Sequence, residues 1–414
     1  MTLRRSAAAV LAASAVLCAS AATATTAVAA PSPTPVIPSG LYGEKDPTYD
    51  GVWRQSLALL AQDTVGVEPA AKAVNWLVGQ QCDSGGFPSF RADAAEPCTS
   101  KTMTDSNATA AAVQALSALG GQDAAVKKGV SWLKSSQNQD GGWSYNPGGA
   151  SDANSTSIVI GALAATGEKP GEVTSQQGRS AYDALVTFAV PCDAKTGGGA
   201  FAYQPDKDKK LAPNADATAA GVLGGLGQGL GAEAGKPGDK PAKCAKGKPT
   251  PERAAANGAA YLDGVLAGTG HLDTPPMPGA EDTKPQPDFG NTADAVVALA
   301  AQGGAERAAK PLEWLKKNAA PWAKENGPAA YAQLVFAAHA TGTDPADFGG
   351  TDLVKALNAT GPAPEATDRA ADEKKDDEKE DGGGFGTWWI VAVFFVASVG
   401  AGILFSGRKK NQQL

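Results

Sequence analysis

Lys128-Gly129-Val130-Ser131-Trp132-Leu133-Lys134-Ser135-Ser136-Gln137-Asn138-Gln139-Asp140-Gly141-Gly142-Trp143 is the stretch that decides the fold. Val126, Val130 and Leu133 form an apolar stripe at helical spacing, as a helix covered on one side requires. The stripe ends in a Gly-Gly turn that carries an aromatic residue. Looser copies recur along the chain. Trp76-Leu77, Phe188-Ala189, Tyr261-Leu262 and Trp314-Leu315 stand where Trp132-Leu133 stands, the first three copies at equal intervals. Gly85-Gly86-Phe87 and Gly197-Gly198-Gly199-Ala200-Phe201 repeat the turn. A second helix then opens on small polar residues: Asp105 to Thr109, Asp152 to Thr156, Asn214 to Thr218, and more loosely Asn291 to Asp294. Asp, Asn and Thr are good cap and first-turn residues.

Two alternating sets of helices follow. One covers Val52–Asp63, Ser106–Leu119, Ala153–Thr166, Ala215–Leu230, Asn291–Gln302 and Ala329–Thr341. The other covers Pro69–Gln81, Ala124–Gln137, Gly178–Ala189, Glu252–Ala267, Ala305–Lys317 and Ala346–Asn358. The first set is apolar nearly all round and rich in Ala, as enclosed helices must be. A long-period array of helical pairs implies a solenoid or a closed ring, and six pairs with one enclosed set imply two concentric rings in an all-α domain.

The ends of the chain carry their own signals. Residues 1–30 read as a signal peptide: Arg4 and Arg5, an Ala-rich apolar stretch, then Ala27-Val28-Ala29. A lipoprotein reading through Cys18 has Leu17 where a small residue is wanted. Residues 31–44 read as a Pro-rich linker, 45–360 as the helical ectodomain, and 361–386 as a charged, Gly-rich stalk. Residues 387–406 have the length and apolarity of a transmembrane helix, with Trp388 and Trp389 suited to the outer interface. Residues 407–414 form a tail whose Arg408, Lys409 and Lys410 stay in the cytoplasm by the positive-inside rule. The expectation is a single-pass cell-membrane protein with its ectodomain outside.

The whole chain carries a net charge of −7, and five of its basic residues lie in the two ends, so the ectodomain is more acidic still. That excludes nucleic acid as a natural partner. Cys82, Cys98, Cys192 and Cys244 remain after export; an even number outside the cell implies disulfides, and Cys82–Cys98 with Cys192–Cys244 would each close one loop of the repeat. A zinc site lacks a C-x-x-C pair and has only two His in the chain to draw on.

Lys128-Gly129-x-x-Trp132-Leu133-x-x-x-Gln137-x-x-x-Gly141-x-Trp143 resembles the QW motif of the prenyltransferase and squalene-cyclase repeat family, and Lys72-Ala73-x-x-Trp76-Leu77 with Gln80 or Gln81 and Gly86-Phe87 is a looser copy. The resemblance covers roughly residues 45 to 360 and implies an α6/α6 toroid. It says little about chemistry, because the motif is structural. Terpene cyclases of that family carry D-x-D-D or D-C-T-A-E, and complement-type thioester domains carry G-C-G-E-Q; neither pattern occurs here. Prenyltransferases hold zinc on Asp, Cys and His, a set not found in the right order. Aromatic residues make up 6% of the chain, few for a cavity that steadies carbocations. The branch left is non-catalytic and resembles the cobalamin carriers intrinsic factor and transcobalamin, although a divergent cyclase, a carbohydrate-active barrel with two mouth carboxylates and a purely structural module stay as alternatives.

Because the two sets alternate, the enclosed helices should start at one mouth. There the expected ligand-binding residues gather: Asp105, Asn107, Thr109, Asp152, Asn154, Thr156, Asp216, Thr218, Asn291 and Asp294, with Asp50 before the first enclosed helix and Trp143 and Tyr145 on a loop above. The plain alternative is that they cap helices. Such a ring suits a large polar ligand, and the resemblance implies a corrinoid such as cobalamin, with no other cofactor or metal. His271, in a loop of the fourth copy, would be its axial cobalt ligand. The carriers have a second, β-rich domain that closes on the ligand; here a separate lid protein and a membrane transporter are the expected partners. Protease added to intact cells should release the ectodomain by cutting between Asp368 and Gly384; protection of the ectodomain with digestion at Leu414 would reverse the topology.

Overall fold

The computed structural model describes residues 37–236, 244–274 and 284–365. The signal peptide, most of the stalk, the transmembrane segment and the tail lie outside the described residues. Among those described, no helix is long and apolar enough to cross a membrane.

Six helices form an inner ring: α1 (Gly51–Thr64), α3 (Ser106–Leu119), α5 (Ala153–Ala165), α7 (Ala215–Leu226), α9 (Phe289–Gly303) and α11 (Pro328–Thr341). Each packs on the next, and α11 packs back on α1, so the ring closes. Outside lie α2 (Ala71–Gly79), α4 (Asp123–Ser135), α6 (Ala181–Leu185), α8 (Pro251–Thr269), α10 (Ala309–Asn326) and α12 (Leu353–Asn358), each against the inner helix of its own pair. Two ribbons, β1 (Phe87–Pro88) with β2 (Thr104–Asp105) and β3 (Leu272–Thr274) with β4 (Gln286–Asp288), are antiparallel.

The expected helices are present with shifted limits. α7 stops at Leu226, where Gly227 turns left-handed (φ 66°), rather than running to Leu230. α10 runs on to Asn326 through Pro321, past the expected end at Lys317. The outer helices of the third and sixth pairs are short, because a 3-10 turn takes over at Val186–Phe188 and another, Pro345–Asp347, stands apart from α12.

Small residues set the radius of the inner ring. A β-carbon on Gly221 would lie 2.6 Å from the Phe201 ring, and one on Gly161 2.8 Å from the Cα of Gly229. Any larger residue would push neighbouring elements apart. The linker reading of residues 37–44 does not hold near its end: Tyr42 is fully buried. Its backbone N–H donates to Gln55 Oε1 (2.8 Å), its phenol donates to the Pro362 carbonyl (3.0 Å), and Gln62 bridges the phenol (3.0 Å) to Asn358 Oδ1 (2.7 Å). The beginning and end of the domain are thereby tied across the seam between α1 and α11. Residues 361–365 join this seam rather than the stalk, since Glu365 N–H donates to the Glu68 carbonyl (3.0 Å).

One hydrogen-bond pattern repeats around the ring. The backbone N–H of Phe87, Trp143, Phe201 and Leu272 donates to the hydroxyl of Thr109 (2.9 Å), Thr156 (3.1 Å), Thr218 (2.9 Å) and Thr292 (3.0 Å). All four threonines are completely buried. Each fastens the turn after an outer helix to the first turns of the next inner one. The Gln of the motif works from the other side: Gln137 Nε2 donates to Gly141 O (2.8 Å), and Gln81 Nε2 to Gly85 O (2.9 Å) and Ala125 O (2.9 Å). Gln81 is therefore the motif residue of the first copy; Gln80 instead accepts from Arg91 N. Both expected disulfides, Cys82–Cys98 and Cys192–Cys244, are formed.

Thr156→Val keeps the shape of the latch but strands a buried N–H at Trp143, so it should cost about 1–3 kcal/mol in chemical denaturation, while Thr156→Ser should be close to neutral. Equal stability of the Val variant and the parent would show that the latch does not hold the turn.

Candidate functional site

The inner helices start at one end of the ring, and most of their caps are short side chains. Asp105 Oδ1 accepts from Ala108 N (2.7 Å), Asp152 Oδ1 from Ser155 N (2.7 Å), Asn214 Oδ1 from Ala217 N (2.8 Å) and Asp288 Oδ1 from Asn291 N (3.0 Å). In the fourth copy the cap is thus Asp288, and Asn291 is tied to it by its own amide, Nδ2 to Oδ2 at 2.7 Å.

Several residues read from the sequence as ligand contacts have structural positions. Thr109, Thr156 and Thr218 are the buried latches. Trp143 is not on a loop above the mouth. It is wholly enclosed, with Nε1 donating to Leu133 O (2.7 Å), because the Gly-Gly turn folds its ring inward under α5. Asp50 pairs with the buried Arg54 (3.1 Å). His271 is held away from the mouth centre by α10: its ring packs on Trp314, centroids 4.5 Å apart, and its Nδ1 faces Asp273 (3.3 Å) and the Leu272 carbonyl (3.1 Å). These contacts engage Nδ1, so a cobalt-ligand role would fall to Nε2.

Tyr145 does stand at the mouth, exposed, with its phenol beside the Asp105 carboxyl. Tyr203, which the sequence reading missed, repeats the arrangement beside Asp152. Their carbonyls receive the N–H groups of Ser106 (3.0 Å) and Ala153 (2.9 Å), so each tyrosine sits over the helix that starts one pair earlier. Burial pushes the Asp105 carboxyl up to about 6, against the lowering effect of the backbone N–H groups of Ala108 and Asn107. Burial raises Asp152 as well.

Inside the mouth, all six inner helices line one chamber of about 240 Å3. Its upper wall is polar: Asn107, Asn154 and Asp216 at equivalent positions of their helices, then Asp294 and Gln333. Deeper along the helices the wall is apolar and includes Leu57, Val297 and Phe336, while Trp53 lines the chamber from the first turn of α1. The floor is the loop Gln228-Gly229-Leu230 after α7, pinned by Leu230 N donating to Gln114 Oε1 (2.8 Å). A second cavity lies on the far side of that floor and includes Asp63, Glu233 and His339. Gln333 and Trp53 escaped the sequence reading because they belong to the last and first inner helices, which lack the repeated turn in front of them. The only available signal was the polar Gln333 within an otherwise apolar helix.

Asn154 Nδ2 donates to Asp216 Oδ2 (2.7 Å), and Gln333 Nε2 donates to both oxygens of Asp294 (3.1 and 3.2 Å). Asp294 is half-buried and lines the chamber. Burial pushes its carboxyl up to about 7, and the negative charges of Asp216 and Asp288 add to the rise. Burial also raises Asp216. A carboxyl at about 7 is a weaker acid than a free one. It suits a hydrogen bond or a charge partner better than protonation of a double bond.

Residues 52–216 match the family model described as "Prenyltransferase alpha-alpha toroid domain". The fold is an alpha–alpha toroid. Among solved structures, the chain is similar to ent-copalyl diphosphate synthase from Streptomyces platensis (TM-score 0.47, 16% identity, 70% of this chain and 50% of that one), so it spans half of that enzyme's length. It is also similar to a protein from Actinoplanes (TM-score 0.43, 15% identity, 75% of this chain and 96% of that one) and to a sugar epimerase from a ruminal bacterium (TM-score 0.42, 14% identity, 67% and 80%). No curated protein matches the sequence.

The raised carboxyl has a consequence for stability. Asp294 holds a proton in the folded state that the unfolded chain releases near pH ~4, so its contribution is complete below that pH and is lost as pH rises through about 7. Asp294→Asn should be more stable than the parent at pH 8 and gain little at low pH, measured by guanidinium unfolding. A parent whose stability rises steadily between pH 4 and 8 in step with the variant would contradict this.

Proposed function

We propose that this chain is an exported, membrane-held binding protein whose toroid captures a ligand at the mouth and takes one arm of it into the chamber. The observation that supports this reading is the division of the chamber wall. A ring of amide and carboxyl groups sits above an apolar pocket floored by Gln228-Gly229-Leu230. A ligand that fits has several hydrogen-bonding groups outside and one arm within that is polar where it meets the ring and apolar beyond it. A corrinoid is a member of that class. Its corrin ring is too large for about 240 Å3 and would lie over the mouth beside Tyr145 and Tyr203, with an amide arm reaching Asn107 and Asn154. A transporter and a separate lid protein are the proposed partners, since a mouth this open is better closed by a second surface than by its own two tyrosines.

The test is a calorimetric screen of the purified protein against aquocobalamin, oligosaccharides and terpenoids, run in parallel on Ala220→Trp. Ala220 lines the chamber, and the indole fills it. A ligand bound by the parent should lose at least roughly ten-fold in affinity, about 1.4 kcal/mol, in a variant that stays folded by circular dichroism. Undiminished binding by the filled variant would remove the chamber from the reading.

A further inference from the structure

The chamber wall is one-sided in its hydrogen bonding. Two amide donors of its polar ring are occupied from within, Asn154 Nδ2 by Asp216 and Gln333 Nε2 by Asp294, while polar oxygens beside them are left over. Asn154 Oδ1 is buried with no partner, and its assignment is fixed because its Nδ2 must face the Asp216 oxygen. Asn107 Oδ1 is also buried and unpartnered. Ser157, only 4% exposed, lines the same chamber with a hydroxyl that meets nothing. Native interiors rarely leave such groups unpaired, and each costs free energy until something arrives to satisfy it.

Charge is one-sided too. Asp216 and Asp294 line the chamber, and among the described residues no Lys, Arg or His lines it with them. Arg54, on the chamber helix α1 itself, is spent on Asp50 and the Lys45 carbonyl. Two carboxyls in an enclosed space without a cation are costly to ionise. Trp53 and Phe336 also line the chamber, and aromatic rings are the other environment in which a buried cation is stabilised.

We infer that the arm entering the chamber is a protonated primary or secondary amine, an organic ammonium whose N–H groups meet Asp294, Asp216, Asn154 Oδ1 and Ser157 and whose carbon skeleton lies against Trp53 and Phe336. This rests on the reading of the chamber as a ligand site, and names the chemistry of what it takes. An N–H-bearing cation answers both deficits together. A neutral alcohol answers only the donor deficit, and a carboxylate answers neither. Binding is also linked to pH. The charged groups facing Asp294 are Asp216 from α7 and Asp288 at the start of its own helix, both acidic, while α11 presents the neutral Gln333. A bound ammonium favours the ionised carboxyl, so capture expels a proton below about pH 7 and strengthens as pH rises towards 8.

The experiment uses the full chain in a non-ionic detergent and three probes of equal length: hexylammonium, 1-hexanol and hexanoate, by titration calorimetry at pH 6 and pH 8. Hexylammonium should bind at least roughly ten-fold tighter than 1-hexanol at pH 8, hexanoate should bind most weakly, and buffers of different ionisation heat should reveal proton release at pH 6. Asp294→Asn and Asp216→Asn should erase the preference for the amine over 1-hexanol. Equal binding of amine and alcohol, or an amine preference that survives both substitutions, would overturn the ammonium assignment while leaving the chamber as a ligand site. Failure of all three probes in a folded protein would overturn both.

Discussion

Everything at the mouth depends on a threonine hydroxyl buried in the first turns of four successive inner helices. Each hydroxyl receives the N–H of the residue that ends a Gly-rich turn, so the turn cannot move without breaking a buried bond. The turn, in turn, carries the next two residues up to the mouth. Tyr145 and Tyr203 are placed over Asp105 and Asp152 because Trp143 and Phe201, two positions earlier, are anchored in the core. A bond with no role in binding thus decides which side chains face a ligand.

Closure of the ring is the second constraint. A row of helical pairs leaves an apolar face open at each end. Here α11 returns to α1, and the seam is held by Tyr42, Gln55, Gln62 and Asn358 through polar contacts drawn from both ends of the domain. Closure makes an interior, and an interior with helix starts at one end is polar there and apolar below. The chamber and its raised carboxyls follow from this geometry, since Asp294 would be an ordinary solvated acid on an open array.

The residues that the sequence marked divide by spacing along one helix. In Asn154-Ser155-Thr156 the Thr turns outward to the preceding loop and the Asn turns inward to the chamber, two positions apart. Both belong to the same polar cluster and look equally fit for binding or for capping. Nothing in the composition of the cluster separates them; the rotation of the helix about its axis does. The setting of His271 was equally hidden. Its loop lies near the mouth, but Trp314 of α10, far along the chain, supplies a surface for the ring.

The sequence by itself determined the alternation of two helix sets, their number and the turn chemistry, and favoured the disulfide pairing that the structure shows, because each rests on local periodicity or on the loops that neighbouring repeats close. Tertiary structure alone decided that Trp143 is core, that the loop after α7 floors the ring, that Gln333 and Trp53 join Asn107, Asn154, Asp216 and Asp294, and that Asn154 spends its amide on Asp216 and leaves its oxygen unpaired. Those facts depend on which groups from six separate helices meet in one enclosed space, and proximity of that kind is created by closure of the ring rather than by any segment of the chain.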